Sequence, residues 1–348
     1  MAQPAESLGN VMNADPAWVA KVSEPALEPD LPIVDPHHHL WQRTGNDYLF
    51  HDLLADTQTG HRIVGTVFVD CHSMYRKDGP AELRCVGETE FANGVAAMSA
   101  SGLYGELRAC AGIVGHVDLR LGERAGDVFD AQIAAGNGRF KGIRHQTGWD
   151  ADPGIRNSRN DPPPEQTRDL TWREGFRELA KRDLTFDAWL YHPQLPEIAE
   201  LADAFPGTHI VLDHVGGPLG YAGYAGHHDE VRAAWRKSMA ELARRQNIVV
   251  KLGGLGMAMG FFDFYRRPTP QGSQELAEAF RPWIETCIEL FGVDRCMYES
   301  NFPVDKITSG YGVLWNAFKR ISGGASASEK KALFSGTATR VYGLSLPG

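Results

Sequence analysis

The chain has 348 residues, 35 Lys plus Arg against 44 Asp plus Glu, and a formal charge of −9. The acidic balance argues against a nucleic-acid binder, which needs a cationic face for phosphates. No apolar run reaches the roughly 18 residues of a membrane span. The length suits one large domain or two ordinary ones. The 43% apolar, 23% charged composition is that of a globular protein, and the 13 His are its unusual figure.

Residues 1–30 carry Pro4, Pro16, Pro25 and Pro29 and lack the cationic start and apolar core of a signal peptide, so they read as an N-terminal arm. Strand one is expected at 32–35, ending on His37-His38-His39, and strand two at 63–70. A helix is expected over 86–100, where Val86, Phe91, Val95 and Met98 recur at helical spacing. Strands follow at 110–117 and 140–145, a helix at 172–182, a strand at 185–191 and a helix at 194–204. Then come a strand at 209–213, a helix at 229–245, a strand at 247–252, a helix at 274–291, a strand at 295–299 and a helix at 326–335. The segments 146–170, 216–228 and 253–273 read as long loops after strands, and loops of that length are uncommon unless functional.

Near-continuous apolar strands alternating with helices mean a parallel sheet covered on both faces. About eight such units predict an α/β fold, a closed (β/α)8 barrel forming a single domain over residues 31–343. A doubly wound open sheet is the runner-up. It is weakened because His37-His38-His39 stands where a phosphate-binding glycine pattern would follow strand one.

Five histidines sit at strand C-terminal ends: His37, His39, His145, His192 and His214. In a barrel those ends converge on one mouth. The i, i+2 spacing of His37 and His39 puts both rings on one side of an extended chain. Two neutral imidazoles with a third His or a carboxylate can hold one divalent ion, zinc foremost. The plainer reading, a hydrogen-bonded structural histidine, applies to His51, His61, His116 and the other scattered ones.

The segments IVDPHHHLW, KGIRHQ, YHPQLP, LDHVGGP, VVKLGGL and MYESNFPVD together resemble the amidohydrolase-related lactonases, over about residues 30–343. These include fuconolactonase-like, rhamnonolactonase-like and 2-pyrone-4,6-dicarboxylate lactonase-like proteins. The resemblance implies a distorted TIM barrel that hydrolyses a lactone or similar carbonyl compound, with or without a divalent metal. In related sequences strand eight ends in Gly-Ser-Asp-Trp-Pro, whose Asp is the general base and, where a metal is present, a ligand. Here the stretch reads Glu299-Ser300-Asn301-Phe302-Pro303. An amide cannot take a proton from water at neutral pH, so Asn301 is not that base.

Glu299, two residues back, is expected to supply the displaced carboxylate, with Asn301 orienting substrate or water. Asp305 is the next candidate. The competing reading pairs Glu299 with Lys251 or an Arg inside the barrel. His37, His39 and His214 would bind one ion, or polarise the carbonyl directly in a metal-free site; the resemblance implies that a two-metal centre would carry a bridging Lys at the end of strand four, and Lys141 lies near its start, so a two-metal centre is not expected. His72, Tyr75, His145, His192 and Lys251 are the candidate substrate contacts. Arg144 is expected on the face opposite His145. Met257, Met259, Phe261, Phe262, Phe264 and Tyr265 are expected to form an apolar lid or a subunit interface. The expected partner is a small lactone or carboxylated substrate in the cytoplasm, with a homodimer as a further expectation. Non-oxidative decarboxylation of a carboxylated aromatic and a non-catalytic binding protein are the alternatives.

Overall fold

A computed structural model describes residues 12–346 of the chain. Eight strands are hydrogen-bonded in sequence order, all parallel: β1 (Ile33–His38), β2 (Ile63–Val69), β3 (Arg108–Gly115), β4 (Phe140–Arg144), β5 (Thr185–Ala188), β6 (Ile210–Leu212), β7 (Ile248–Leu252) and β8 (Cys296–Tyr298). The last meets the first just beyond its end. Asn301 N–H donates to His37 O at 2.9 Å and His39 N–H to Phe302 O at 2.8 Å. Asp35 fastens the same seam, its carboxylate accepting from Ser300 N–H (3.0 Å), Ser300 Oγ (2.6 Å) and Tyr311 Oη (3.0 Å). The result is a (β/α)8 barrel.

The period of two along a strand sorts its side chains into two cores. Ile113, Ile143, Phe186 and Leu212 point outward to the helices. Val34, Val67, Val69, Val114, Val211, Val249 and Met297 point into the barrel. The bottom of the barrel is closed by the C-terminal tail, where Ala338, Val341, Tyr342 and Leu344 join that inner cluster. Two residues above each inner apolar layer, the same parity delivers polar groups: Asp213 over Val211, Lys251 over Val249, Glu299 over Met297.

The helices at Val86–Ala100 (α3), Leu170–Ala180 (α5), Leu195–Ala204 (α6), His228–Ala243 (α7) and Ser273–Phe291 (α8) stand within two residues of the expected bounds. Before them come a short turn of helix at Pro16–Val19 (α1) and α2 (Phe50–Thr57); α4 (Ala125–Gly136) lies between β3 and β4, and α9 (Tyr311–Ile321) follows β8. The reading by spacing misses α2, α4 and α9 for physical reasons. The first is eight residues long, the second is half Ala and Gly around Val128 and Phe129, and the third is buried nearly all round and so shows no polar face. The expected helix at 326–335 divides into α10 (Ala327–Lys331), a wide turn over Ala332–Gly336 and α11 (Thr337–Val341). The N-terminal arm is tied to α8 and α9 by Glu24, which accepts from Ser273 N–H at 2.7 Å and Asn316 Nδ2 at 3.2 Å. All five cysteines are buried and free. No helix among the described residues is long and apolar enough to cross a membrane.

Candidate active site

The three long loops meet over the C-terminal end of the barrel. Ile155, Trp189, Tyr191 and Leu219 form a small apolar cluster there, with Tyr221, Tyr224, Met257 and Met259 packed against it. Beneath it lies a cavity of about 160 Å3 lined by His39, Trp41, Arg43, Arg144, Gln146, Arg159, Trp189, His214, Met257 and Asn301. The aromatic run farther along belongs elsewhere. Phe261 packs on Trp283 of α8 (4.8 Å between ring centres) and Phe262 on Phe280 (5.5 Å). Of the expected lid, therefore, the methionine end reaches the mouth and the phenylalanines cover a helix.

Strand β1 would ordinarily alternate, but its pairing with β2 shifts between Asp35 and His38. His37 and His39 both turn to the mouth, their rings 4.9 Å apart, and His37 lies 4.5 Å from His214. His38 turns outward against Phe68 and meets Thr66 Oγ1 at 2.8 Å. The expected trio of His37, His39 and His214 is thus brought together. His39 Nδ1 lies 2.8 Å from Val69 O; since a carbonyl only accepts, the proton sits on Nδ1 and the Nε2 lone pair is left over.

Glu299 lies beneath His214 and is fully buried. Its Oε1 accepts from His214 N–H at 3.1 Å and stands 2.7 Å from His214 Nδ1. Its Oε2 stands 3.0 Å from His37 Nδ1. Burial pushes the Glu299 carboxyl up, but the interactions with His214 and His37 outweigh it and hold it down at about 2. At neutral pH Glu299 is an anion that orients His214 through Nδ1, leaving Nε2 for the cavity. Trp189 presses edge-on against the same ring at 4.9 Å. Close packing beneath supports the pose: Gly254 sits at φ +66°, and a Cβ there would lie 2.4 Å from His214 Cβ.

Asn301 lines the cavity, and its Nδ2 donates to Asp305 Oδ1 at 2.8 Å. Asp305 is buried behind it, Oδ2 accepting from Gly256 N–H at 3.0 Å. Burial pushes the Asp305 carboxyl up to about 7, against the pull of His214 and those hydrogen bonds.

Several expected contacts lie elsewhere. His145 shares the outward parity of Ile143 and faces the helices, 5.9 Å from Trp172; its Nδ1 accepts from Leu119 N–H at 3.1 Å. Arg144 takes the inward parity instead and lines the mouth. The two are indeed on opposite faces, with the inner place going to the arginine. His192 is buried against Tyr224, its Nδ1 accepting from Leu219 N–H at 3.3 Å, and does not line the cavity. Lys251 is wholly buried below the cavity floor, Nζ 2.6 Å from Asp187 Oδ2, 3.1 Å from Asp213 Oδ1 and 3.1 Å from His37 Nδ1. Its salt-bridge role prevails over substrate contact because the inner parity sets it one layer too deep. His72 and Tyr75 stack on each other at 5.4 Å beside the end of β3, outside the cavity lining.

The residues that spacing overlooked are the strand-end acids. Asp70 accepts from Arg144 Nε at 2.7 Å, and Asp213 from Arg144 Nη1 at 3.3 Å. Their signal is an Asp closing VFVD and VLD; Asp213 keeps the inward parity of Val211, whereas Asp70 turns inward only past the end of β2 at Val69. Arg43 and Arg159 were also overlooked. Both donate to the same carbonyl, Cys71 O, at 3.0 and 3.1 Å, and neither guanidinium has a carboxylate partner among the described residues. Arg43 also lies 4.0 Å over the Trp41 ring.

A model of the family described as Amidohydrolase matches residues 34–344. The chain belongs to the amidohydrolase family. It is 36% identical over 339 residues to an uncharacterized protein of Sinorhizobium fredii, covering 90% of this chain and 99% of that one. It is 28% identical over 239 residues to an L-fucono-1,5-lactonase of Burkholderia multivorans, 68% of this chain and 73% of the relative. A crystal structure of an amidohydrolase from Burkholderia multivorans with bound zinc superposes with a TM-score of 0.68 at 25% identity, covering 90% of this chain and 99% of the other.

Within this amidohydrolase the donor atoms of His37, His214 and Glu299 lie within 4.8 Å of one another. Two imidazoles and a carboxylate are a zinc-type donor set, so these residues could hold a divalent ion. Lys251 Nζ, 3.1 Å from His37 Nδ1, is the cation it would have to displace.

Proposed function

We propose that this amidohydrolase opens a lactone ring by attack of water, giving a hydroxy acid. The observation that carries the reading is the Glu299–His214 pair, buried, hydrogen-bonded at 2.7 Å and placed under a cavity that His214 itself lines. His214 Nε2 takes the proton from water as oxygen bonds to the carbonyl carbon. Glu299 stabilises the imidazolium that forms, and His214 returns the proton to the ring oxygen as the carbon–oxygen bond breaks. Asn301, whose Nδ2 is engaged by Asp305, offers its side-chain oxygen to hold that water. Arg144 uses four of its five N–H donors on Asp70, Asp213 and His37; the fifth serves the carbonyl oxygen as it gains charge. A divalent ion held by His37, His214 and Glu299 would add Lewis acidity at the carbonyl.

Arg43 and Arg159 favour an acid-bearing lactone. Two guanidiniums converging on one neutral carbonyl repel each other, and a substrate carboxylate between them would accept from both. The test is acid release from a panel of neutral and carboxylated lactones, run beside the His214→Asn variant. Turnover in the parent and its loss in the variant support the reading. Release of CO2 without ring opening would replace it with decarboxylation, and tight ligand binding without any turnover would make the chain a binding protein.

A further inference from the structure

Beside the cavity, at the ends of β2 and β3, stand Asp70, His72 and His116, with one donor atom of each within 4.8 Å of the others. Asp70 is fully buried. Its Oδ1 serves Arg144, but Oδ2 has no hydrogen-bond partner among the described residues. His72 Nε2 is buried and equally unpartnered, 3.6 Å from that oxygen. His116 Nδ1 lies 3.1 Å from Arg144 O, which puts its proton on Nδ1 and leaves the Nε2 lone pair. Tyr75 and His116 flank the His72 ring at 5.4 and 5.1 Å and fix its plane.

Buried polar atoms are almost always satisfied, and two facing orphans mark a missing partner. A cation suits both at once, with His72 in the tautomer that carries its proton on Nδ1 and leaves the Nε2 lone pair free. Ligands about 2.1 Å from a tetrahedral zinc ion stand roughly 3.4 Å apart, close to the Asp70–His72 separation of 3.6 Å. A two-nitrogen, one-oxygen set prefers zinc, cobalt or nickel to magnesium or calcium.

We propose that Asp70, His72 and His116 form a second divalent-metal site, binding a zinc-type ion through Asp70 Oδ2, His72 Nε2 and His116 Nε2, with water completing the shell. It shares no residue with the His37, His214 and Glu299 group, and it does not depend on the lactonase reading. Asp70 joins it to the mouth, since one carboxylate would then serve the ion and Arg144 at once.

The experiment strips the full chain with a chelator and titrates it with Co2+. Binding is read by visible absorption and by metal content after desalting. His214→Asn, which breaks the other group, is expected to retain one Co2+ per chain. Adding His72→Gln or His116→Gln to it is expected to weaken that binding roughly a hundredfold or more. A Co2+-dependent rise in melting temperature should appear in His214→Asn and vanish in the double variants, which guards against a variant that merely folds poorly. Failure of His214→Asn to retain Co2+, or equal retention with and without His72 and His116, overturns the proposal.

Discussion

Glu299→Gln isolates the charge beneath His214 with little change of shape. The amide oxygen can still accept from His214 Nδ1, so the ring has a reason to stay where it is. What disappears is the anion that would stabilise a protonated His214. The carboxyl is held at about 2 rather than its ordinary 4.5, which corresponds to a few kcal/mol of preference for the charged form. If that preference is expressed in the transition state, the turnover number should fall about 10²- to 10⁴-fold, the range seen when a base loses its orienting carboxylate. Stability has a definite sign as well. Glu299 is lowered in the fold, so its contribution is present above 4.5 and is lost as pH falls toward 2. The variant should therefore melt below the parent at pH 7, and the gap should shrink on acidification. The assay is acid release on an active lactone, with melting curves from pH 3 to 8. Parental turnover in a folded Glu299→Gln protein would refute the dyad as the source of the base.

Other consequences can be checked one by one. Asp305 is raised to about 7 in the fold, so its burial costs stability as pH rises from 3.8 to 7; Asp305→Asn should remove that slope in a melting-temperature series and leave the variant relatively more stable at neutral pH. Gly254→Ala would set a methyl 2.4 Å from His214 Cβ at φ +66°. It should cost about 1–3 kcal/mol in denaturant unfolding and lower activity more than tenfold. Arg43→Ala and Arg159→Ala should each raise KM at least tenfold for carboxylated lactones and leave neutral ones within about threefold, measured by initial rates.

The fold was legible because it is written in periodicity: short apolar runs and amphipathic stretches in strict alternation. It was least legible where that signal fades, in the Ala- and Gly-rich α4 and the almost wholly buried α9. The histidine set at the ends of β1 and β6 was legible because strand ends converge in a barrel. Inward and outward parity was harder to assign. The shift in β1 puts His37 and His39 inside, whereas the regular β4 puts Arg144 inside and His145 outside. Glu299 was singled out as a departure at strand eight, but its role is set by depth. It lies below His214 and reaches the cavity through it.

The seam between the first and last strands carries a consequence for how the site comes into being. His37 and His39 stand on one side of it, Glu299 and Asn301 on the other, and Asp35 holds the two together through Ser300 and Tyr311. A growing chain has its first two histidines early, yet it cannot assemble the site until Tyr311 has been made and the barrel has closed. Activity and closure should therefore arrive together in refolding, with any partly folded species inert toward substrate.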